Sequence, residues 1–341
     1  MWLTRNTLVV IIYCVETERP DIIRAENTSI VGRFAPSPTG PLHFGSLVAA
    51  VGSFCLARMA GGRWHLRIED LDLPRVVPGA ADEIMRVLEH LGLLWDGPVV
   101  WQSRRGDAYR AALESLRQRG LVYDCACSRR EILASAPHPG EEGPVYPGTC
   151  RQGLAPGGKP RSQRIRVPDD LLCFVDGVFG HREQCLAGSV GDFVLRRADG
   201  LFAYQLAVVV DDADSGVNQV VRGADLLSST PRQIFLQACL GYPVPRYIHL
   251  PLALGEEGEK ISKRHGSITA VTAATTGNLL SRALLFLGQE VPAGMRRAPA
   301  AEVLAWGVAH FDLSRIPTTD RKEAEAENNS KIAIDSTRKT R

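Results

Sequence analysis

The sequence has no long apolar run. The longest near its start, Leu8 to Tyr13, falls far short of the roughly 20 residues that span a bilayer. An excess of charge of one sign is also missing: 40 Lys+Arg stand against 38 Asp+Glu, a net +2. Balanced charge with 45% hydrophobic residues excludes intrinsic disorder as the main state. It also argues against a simple electrostatic coat for nucleic acid. Eight cysteines scattered over 341 residues do not make the dense framework of a small secreted domain. Cys55, Cys173 and Cys239 sit in apolar stretches and read as small core residues. No small-residue cleavage site follows the early apolar run. A cytoplasmic protein is expected, with residues 1–29 as an irregular extension. Internal repeats are absent too. The length permits one large domain or two modest ones.

What is present is an alternation. Ile30 to Phe34 reads as a strand, and the Pro- and Gly-rich segment after it forbids regular structure. Leu47 to Met59 suits a buried helix stopped by Gly61-Gly62. Arg63 to Ile68 reads as a strand. Asp82 to Leu91 carries Ile84, Val87, Leu88 and Leu91 at helical spacing, and Tyr109 to Gly120 reads as another helix. This order predicts an α/β fold with a doubly wound parallel sheet. Pro137 to Gly158 is rich in turn formers. Arg164–Val167, Cys173–Val178 and Phe193–Arg196 read as short strands of an inserted subdomain. Ala207 to Val210 suits a buried parallel strand, and Pro231 to Leu240 a helix with proline at its start. Helices are expected after Ser267 to about Phe311, then a polar, frayed tail.

Two segments carry chemistry. Pro36-Ser-Pro-Thr-Gly-Pro-Leu-His43-Phe-Gly-Ser46 lies between a strand and a helix. A helix N-terminus offers unpaired N–H groups and a positive dipole end to an anion. Gly40 and Gly45 allow close approach to the backbone, and His43 can donate to a phosphate oxygen. Neither GxxxxGK nor GxGxxG follows that strand, so P-loop and dinucleotide readings lack their residues. The second segment is Lys260-Ile-Ser-Lys263-Arg264. Its two lysines, three apart in a glycine-rich turn, can converge on one polyphosphate.

Together these segments resemble the HIGH and KMSKS signatures of class I aminoacyl-tRNA synthetases. The glutamyl branch is closer still. Gly32-Arg-Phe-Ala-Pro-Ser-Pro-Thr-Gly40, Arg67-Ile-Glu-Asp70, Val208-Val-Val-Asp-Asp212, Val221-Arg-Gly223, Thr230-Pro-Arg-Gln233 and Lys260-Ile-Ser-Lys-Arg264 match it in order over about residues 30–290. Ser46 stands where HIGH ends in His, so its role stays open. The resemblance implies a Rossmann-like catalytic domain in two halves, 30–124 and 201–266. An inserted zinc-binding acceptor subdomain would span 125–200, a helical region 267–316 and a tail 317–341.

It further implies attack of a glutamate carboxylate on the α-phosphorus of ATP, with Mg²⁺ on the phosphates. That carboxylate is ionised at pH 7, so the site must position it and stabilise growing negative charge rather than supply a base. His43, Lys260 and Lys263 would serve catalysis, and His43, Gly45 and Lys263 would hold ATP. Arg33, Phe34, Ala35, Pro36, Ser37, Tyr204 and Arg222 would surround the amino acid, with Glu69 on its ammonium. Arginine suits a carboxylate because its planar fork binds two oxygens.

Cys125, Cys127 and Cys150 suit a single structural Zn²⁺. Donor chemistry alone nominates His138 as fourth ligand; resemblance to the glutamyl-queuosine enzymes nominates Tyr146. Residues 101–166 hold twelve Lys/Arg and six Asp/Glu, which reads either as a solvated face or as a contact for RNA phosphates. Only 77 residues follow Arg264, too few for the helical anticodon-binding region of a full glutamyl-tRNA synthetase. The resemblance therefore points to the group that transfers glutamate to queuosine at the wobble position of tRNA(Asp). A monomer is expected. Two other readings remain: a shortened glutamyl-tRNA synthetase charging the tRNA 3′ end, and a non-catalytic RNA-binding paralog.

Overall fold

The computed structural model describes residues 29–135, 139–140, 143–255 and 273–322. The first half runs β1 (Val31–Phe34), α1 (Phe44–Met59), β2 (Arg63–Ile68), α2 (Ala80–His90), β3 (Val100–Trp101) and α3 (Gly106–Gln118). β1 pairs with β2 in parallel, Val31 opposite Arg63, and β2 pairs with β3, Arg67 opposite Val100. The middle contains β4 (Val122–Cys125), α4 (Arg129–Ser135), the short hairpin β5 (Pro139–Gly140) and β6 (Gly143–Pro144), then β7 (Ser162–Ile165). The hairpin β8 (Leu171–Asp176) and β9 (Gly180–Cys185), the turn α5 (Leu186–Ser189) and β10 (Val194–Arg196) follow. β4, β7 and β10 form an antiparallel sheet.

The parallel architecture resumes with α6 (Tyr204–Asp214), β11 (Gln219–Gly223), α7 (Thr230–Leu240) and β12 (Arg246–Leu250). β11 and β12 pair in parallel, Gln219 opposite Arg246. β11 lies against β1: the Asn218 amide donates to Val31 O at 3.1 Å, and the Val31 amide to Asn218 Oδ1 at 2.8 Å. β1 thus has β2 on one side and β11 on the other, with chain crossovers leaving in opposite directions. That is the switch point of a doubly wound sheet, where ligands bind beyond the strand C-termini.

Successive strand residues supply the two faces. Phe34 and Val221 join a core with α1, α2 and the C-terminal helices α8 (Ala273–Phe286) and α9 (Ala300–His310). Val31 and Val220 join the opposite core with α3, α6 and α7. On the first side, Phe44 packs edge-on to Phe286 at 5.6 Å. A Cβ on Gly307 would stand 3.4 Å from Cys55 Sγ and 3.1 Å from Leu284. Cys55, Cys173 and Cys239 are buried, as their apolar surroundings predict.

Two expectations need correction. Ala207–Val210 is helix, the middle of α6, not strand. Every residue from Gln205 to Asp212 is buried, and a four-residue apolar run buried all round does not distinguish helix from strand. The real second-half strands are β11 and β12. The tail expected from residue 317 is also ordered at its start. β14 (Arg321–Lys322) pairs with β13 (Ala253–Leu254), and the Leu252 amide donates to Asp320 Oδ1 at 2.7 Å.

Candidate functional site

A cavity of about 550 Å³ opens at the switch point. Arg33, Phe34, Ala35, Pro36 and Ser37 enter it from the end of β1, His43, Gly45 and Ser46 from the start of α1, Glu69 from the end of β2, Tyr204 from α6 and Arg222 from β11. Every expected amino-acid-binding residue therefore lines one cavity, together with His43 and Gly45. Lys260, Lys263 and His138 lie outside the described residues. Leu42, Val48, Ile84 and Leu250 supply apolar wall.

The loop before α1 is shaped by its sequence. Gly40 has φ +139°, a conformation that side chains rarely adopt. The Glu69 amide donates to Pro36 O at 3.0 Å and the Val77 amide to Pro38 O at 2.9 Å, tying the loop to the chain beyond β2. His43 is the N-cap of α1, and its Nδ1 accepts from the Ser46 amide at 3.3 Å. The Ser46 hydroxyl lies 3.0 Å from His43 Nε2. A Cβ on Gly45 would stand 3.3 Å from the His43 ring. The first turn of α1 carries no acidic residue of its own to offset its positive end, which faces the cavity.

A buried charge web lies under the β1 end. Arg33 Nε donates to Asp212 Oδ1 at 3.2 Å and its Nη1 to Val221 O at 3.1 Å. Arg67 pairs with the same Asp212 oxygen at 2.5 Å and with Glu69 at 3.2 Å. Asp211 takes Gln102 Nε2, Arg105 Nε and the Tyr109 hydroxyl at 2.6–2.8 Å. Burial raises Asp212, but the Arg67 and Arg33 guanidiniums outweigh it and hold the carboxyl below its ordinary range. For Glu69 burial prevails over Arg67 and Arg33, and its carboxyl is pushed up. A buried acid in that state gains most from an added cation, such as an amino acid's ammonium.

Arg222 is 5% exposed and held by four hydrogen bonds. Its Nε donates to His249 Nε2 at 3.0 Å, Nη1 to Gln233 Oε1 at 2.8 Å, and Nη2 to Thr230 Oγ1 at 2.9 Å and Leu226 O at 3.2 Å. Asp212, Arg67, Gln233 and His249 were given no role from sequence. The first three lie in the matched segments, where the Asp211-Asp212 pair ending an apolar run was the available signal. His249 carries no such local mark.

A second cluster lies in the middle segment. The sulfurs of Cys125, Cys127 and Cys150 all fall within 4.8 Å of one another, with Cys127 and Cys150 at 3.6 Å. The Tyr146 oxygen is 3.4 Å from Cys125 Sγ and 3.7 Å from Cys127 Sγ. Thiolates around a tetrahedral zinc stand about 3.8 Å apart at ordinary Zn–S lengths, so this donor set fits the ion. The Arg164 guanidinium covers the Tyr146 ring at 3.8 Å and donates to Cys125 Sγ at 3.4 Å. Burial raises the Cys125 thiol, but hydrogen bonds with Tyr146 and Arg164 bring it down to about 7, while burial pushes the neighbouring Cys127 thiol up to about 11, so one of the sulfurs is poised as the thiolate a metal takes.

A parallel sheet, a histidine-capped helix at its switch point and a cation-lined cavity beyond the strand ends define an α/β enzyme of the nucleotide-handling kind. Comparison with known proteins narrows this. Residues 29–288 match the family described as tRNA synthetases class I (E and Q), catalytic domain, and the chain belongs to that family. A glutamyl-Q tRNA(Asp) synthetase from Dechloromonas aromatica is 56% identical over 85% of this chain and 97% of its own length. One from Geobacter sulfurreducens is 56% identical over 85% and 94%. A crystal structure of a glutamate tRNA ligase from Elizabethkingia meningosepticum in complex with its amino acid superposes with a TM-score of 0.71. It is 25% identical over 89% of this chain and 69% of the other. No helix among the described residues is long and apolar enough to cross a membrane.

Proposed function

We propose that this chain activates L-glutamate with ATP and transfers it to the queuosine of tRNA(Asp). The observation that carries the reading is the single cavity shared by Arg33, Glu69, Tyr204, Arg222 and the His43-capped end of α1. Relatives bearing the corresponding name match over nearly their whole length.

Arg33 and Arg222 favour the side-chain carboxylate, and Glu69 takes the ammonium. Phe34 to Ser37 form the wall along the amino acid, and Tyr204 closes it from α6. The α-carboxylate then attacks the α-phosphorus, the bond to pyrophosphate breaks, and glutamyl-adenylate forms. No proton need be removed, since the carboxylate is already ionised. The work lies in positioning and in stabilising charge on phosphate oxygens. His43, the amides at the start of α1 beside Gly45, and Lys260 with Lys263 supply it. Mg²⁺ accompanies ATP and adds positive charge at the phosphates. In the second step a hydroxyl of the queuosine diol attacks the activated carbonyl and AMP leaves.

Cys125, Cys127, Tyr146 and Cys150 would hold one structural zinc, whose four protein ligands leave no open position for catalysis. It would brace the segment 125–200 as the subdomain facing the RNA acceptor. Glutamate transfer to tRNA(Asp) with and without queuosine tests the proposal: esterification of the queuosine-containing tRNA alone is expected. Charging of tRNA lacking queuosine would favour a 3′-end synthetase instead.

A further inference from the structure

Asp176 closes β8 in the hairpin inserted between the two halves of the sheet, yet its carboxylate reaches β12. Oδ2 lies 2.6 Å from His249 Nδ1. Oδ1 accepts the Val178 and Phe179 amides at 3.0 and 2.9 Å, and both oxygens receive the His249 amide. The contact is close by construction: the Gly177 amide donates to Tyr247 O at 2.9 Å, and a Cβ on Gly177 would stand 2.8 Å from Ile248. Asp176, His249 and Arg222 are 2%, 0% and 5% exposed.

The hydrogen-bond inventory leaves one proton arrangement. A carboxylate that already accepts from three backbone amides has no hydrogen to offer, so His249 Nδ1, 2.6 Å from Oδ2, carries the hydrogen. A guanidinium can only donate, so His249 Nε2 must present its lone pair to Arg222 Nε at 3.0 Å; the Thr230 hydroxyl, 3.3 Å from the same nitrogen, can donate and is compatible with that state. A cationic ring would set N–H against N–H and add a second positive charge 3.0 Å from the first. We propose that Asp176 is a positioning residue: it fixes the Nδ1–H tautomer of His249, and through it the direction in which Arg222 enters the glutamate cavity. This deepens the function proposed above and rests on it. Burial lowers His249, the Asp176 hydrogen bond opposes it and the Arg222 charge adds to it, leaving the ring below its ordinary value, in accord with a neutral ring.

Asp176→Asn tests this. The variant is nearly isosteric and keeps an oxygen for the backbone amides. Its NH₂ group now faces His249 Nδ1, which favours the Nε2–H tautomer and turns an N–H toward Arg222 Nε–H. In glutamate-dependent ATP–pyrophosphate exchange, the KM for glutamate should rise about tenfold, the size of a lost charge-assisted hydrogen bond, while the KM for ATP stays within about twofold. NMR of ¹⁵N-histidine-labelled protein should show one buried ring passing from Nδ1–H to Nε2–H. In a His249→Gln background, Asp176→Asn should add nothing to the glutamate KM. An unchanged tautomer and glutamate KM in Asp176→Asn would overturn the inference. So would equal rises in both KM values, or a full Asp176→Asn effect in the His249→Gln background. If Arg222→Ala itself leaves the glutamate KM unchanged, the functional reading fails separately, and the tautomer change still reports on the geometry.

Discussion

Ser46 touches both nitrogens of the His43 ring, its amide 3.3 Å from Nδ1 and its hydroxyl 3.0 Å from Nε2. The residue that replaces the second histidine of the signature thus orients the first. Ser46→Ala keeps the amide contact and removes the hydroxyl. Exchange kcat should fall severalfold, in line with one neutral hydrogen bond of about 1 kcal/mol. His43→Ala should cost about 10²-fold or more, as for a donor lost from a developing oxyanion. The KM for glutamate should move little in either variant.

Asp212 is the anion between two buried guanidiniums, those of Arg33 and Arg67. Asp212→Asn takes from Arg33 the carboxylate it pairs with and leaves Arg67 to Glu69 and, at 3.9 Å, Asp211. Removing one partner from a buried ion pair costs about 3–5 kcal/mol. Urea denaturation at pH 7 should show a loss of that order, together with lost exchange activity.

His249 is held neutral, so acid should destabilise the fold. Its native pKa lies below the ordinary value, chiefly through burial, with the Arg222 and Arg33 charges adding and Asp176 opposing. Once pH drops below about 6.5 the unfolded chain binds a proton that the native chain refuses. Stability is therefore full above that value and declines as pH falls. Asp176 is also depressed, but its contribution is lost only below its ordinary carboxylate range. The raised Glu69 carboxyl works in the opposite sense above its ordinary range, so the His249 contribution is read by difference: the unfolding free energy of the native chain minus that of His249→Gln should rise with pH up to about 6.5.

Purified protein should carry one zinc per chain by elemental analysis. Cys150→Ser should lower the content sharply. Tyr146→Phe should lower it as well, because the phenol oxygen stands among the three sulfurs, whereas His138→Ala should leave it unchanged. Stripping the metal with a chelator should lower the melting temperature and expose all three thiols to titration.

Much of the cavity was legible because its residues cluster along the chain. Arg33 to Gly45 runs from the end of β1 through one loop into the start of α1, Glu69 follows one strand, and Gly40 and Gly45 mark close backbone approach. The helix at Asp82–Leu91 was readable because one face is apolar. α6 was not, since burial on all sides removes periodicity. Arg222 was legible by resemblance, but its strand was not assigned, as β11 is buried along nearly its whole length. The Asp176–His249 contact spans 73 residues. Nothing local in either segment encodes it; it exists only once the hairpin lies on β12.

The packing of α1 has a consequence for synthesis. Phe44 meets Phe286, and Cys55 lies beneath Gly307, so the helix capped by His43 is covered by the last two long helices described. A nascent chain leaving the ribosome N-terminus first must therefore carry α1 with that apolar face open until α8 and α9 emerge. Such distant contacts close late and slowly. The loop ahead of α1 is therefore made well before the two helices that cover the helix it leads into.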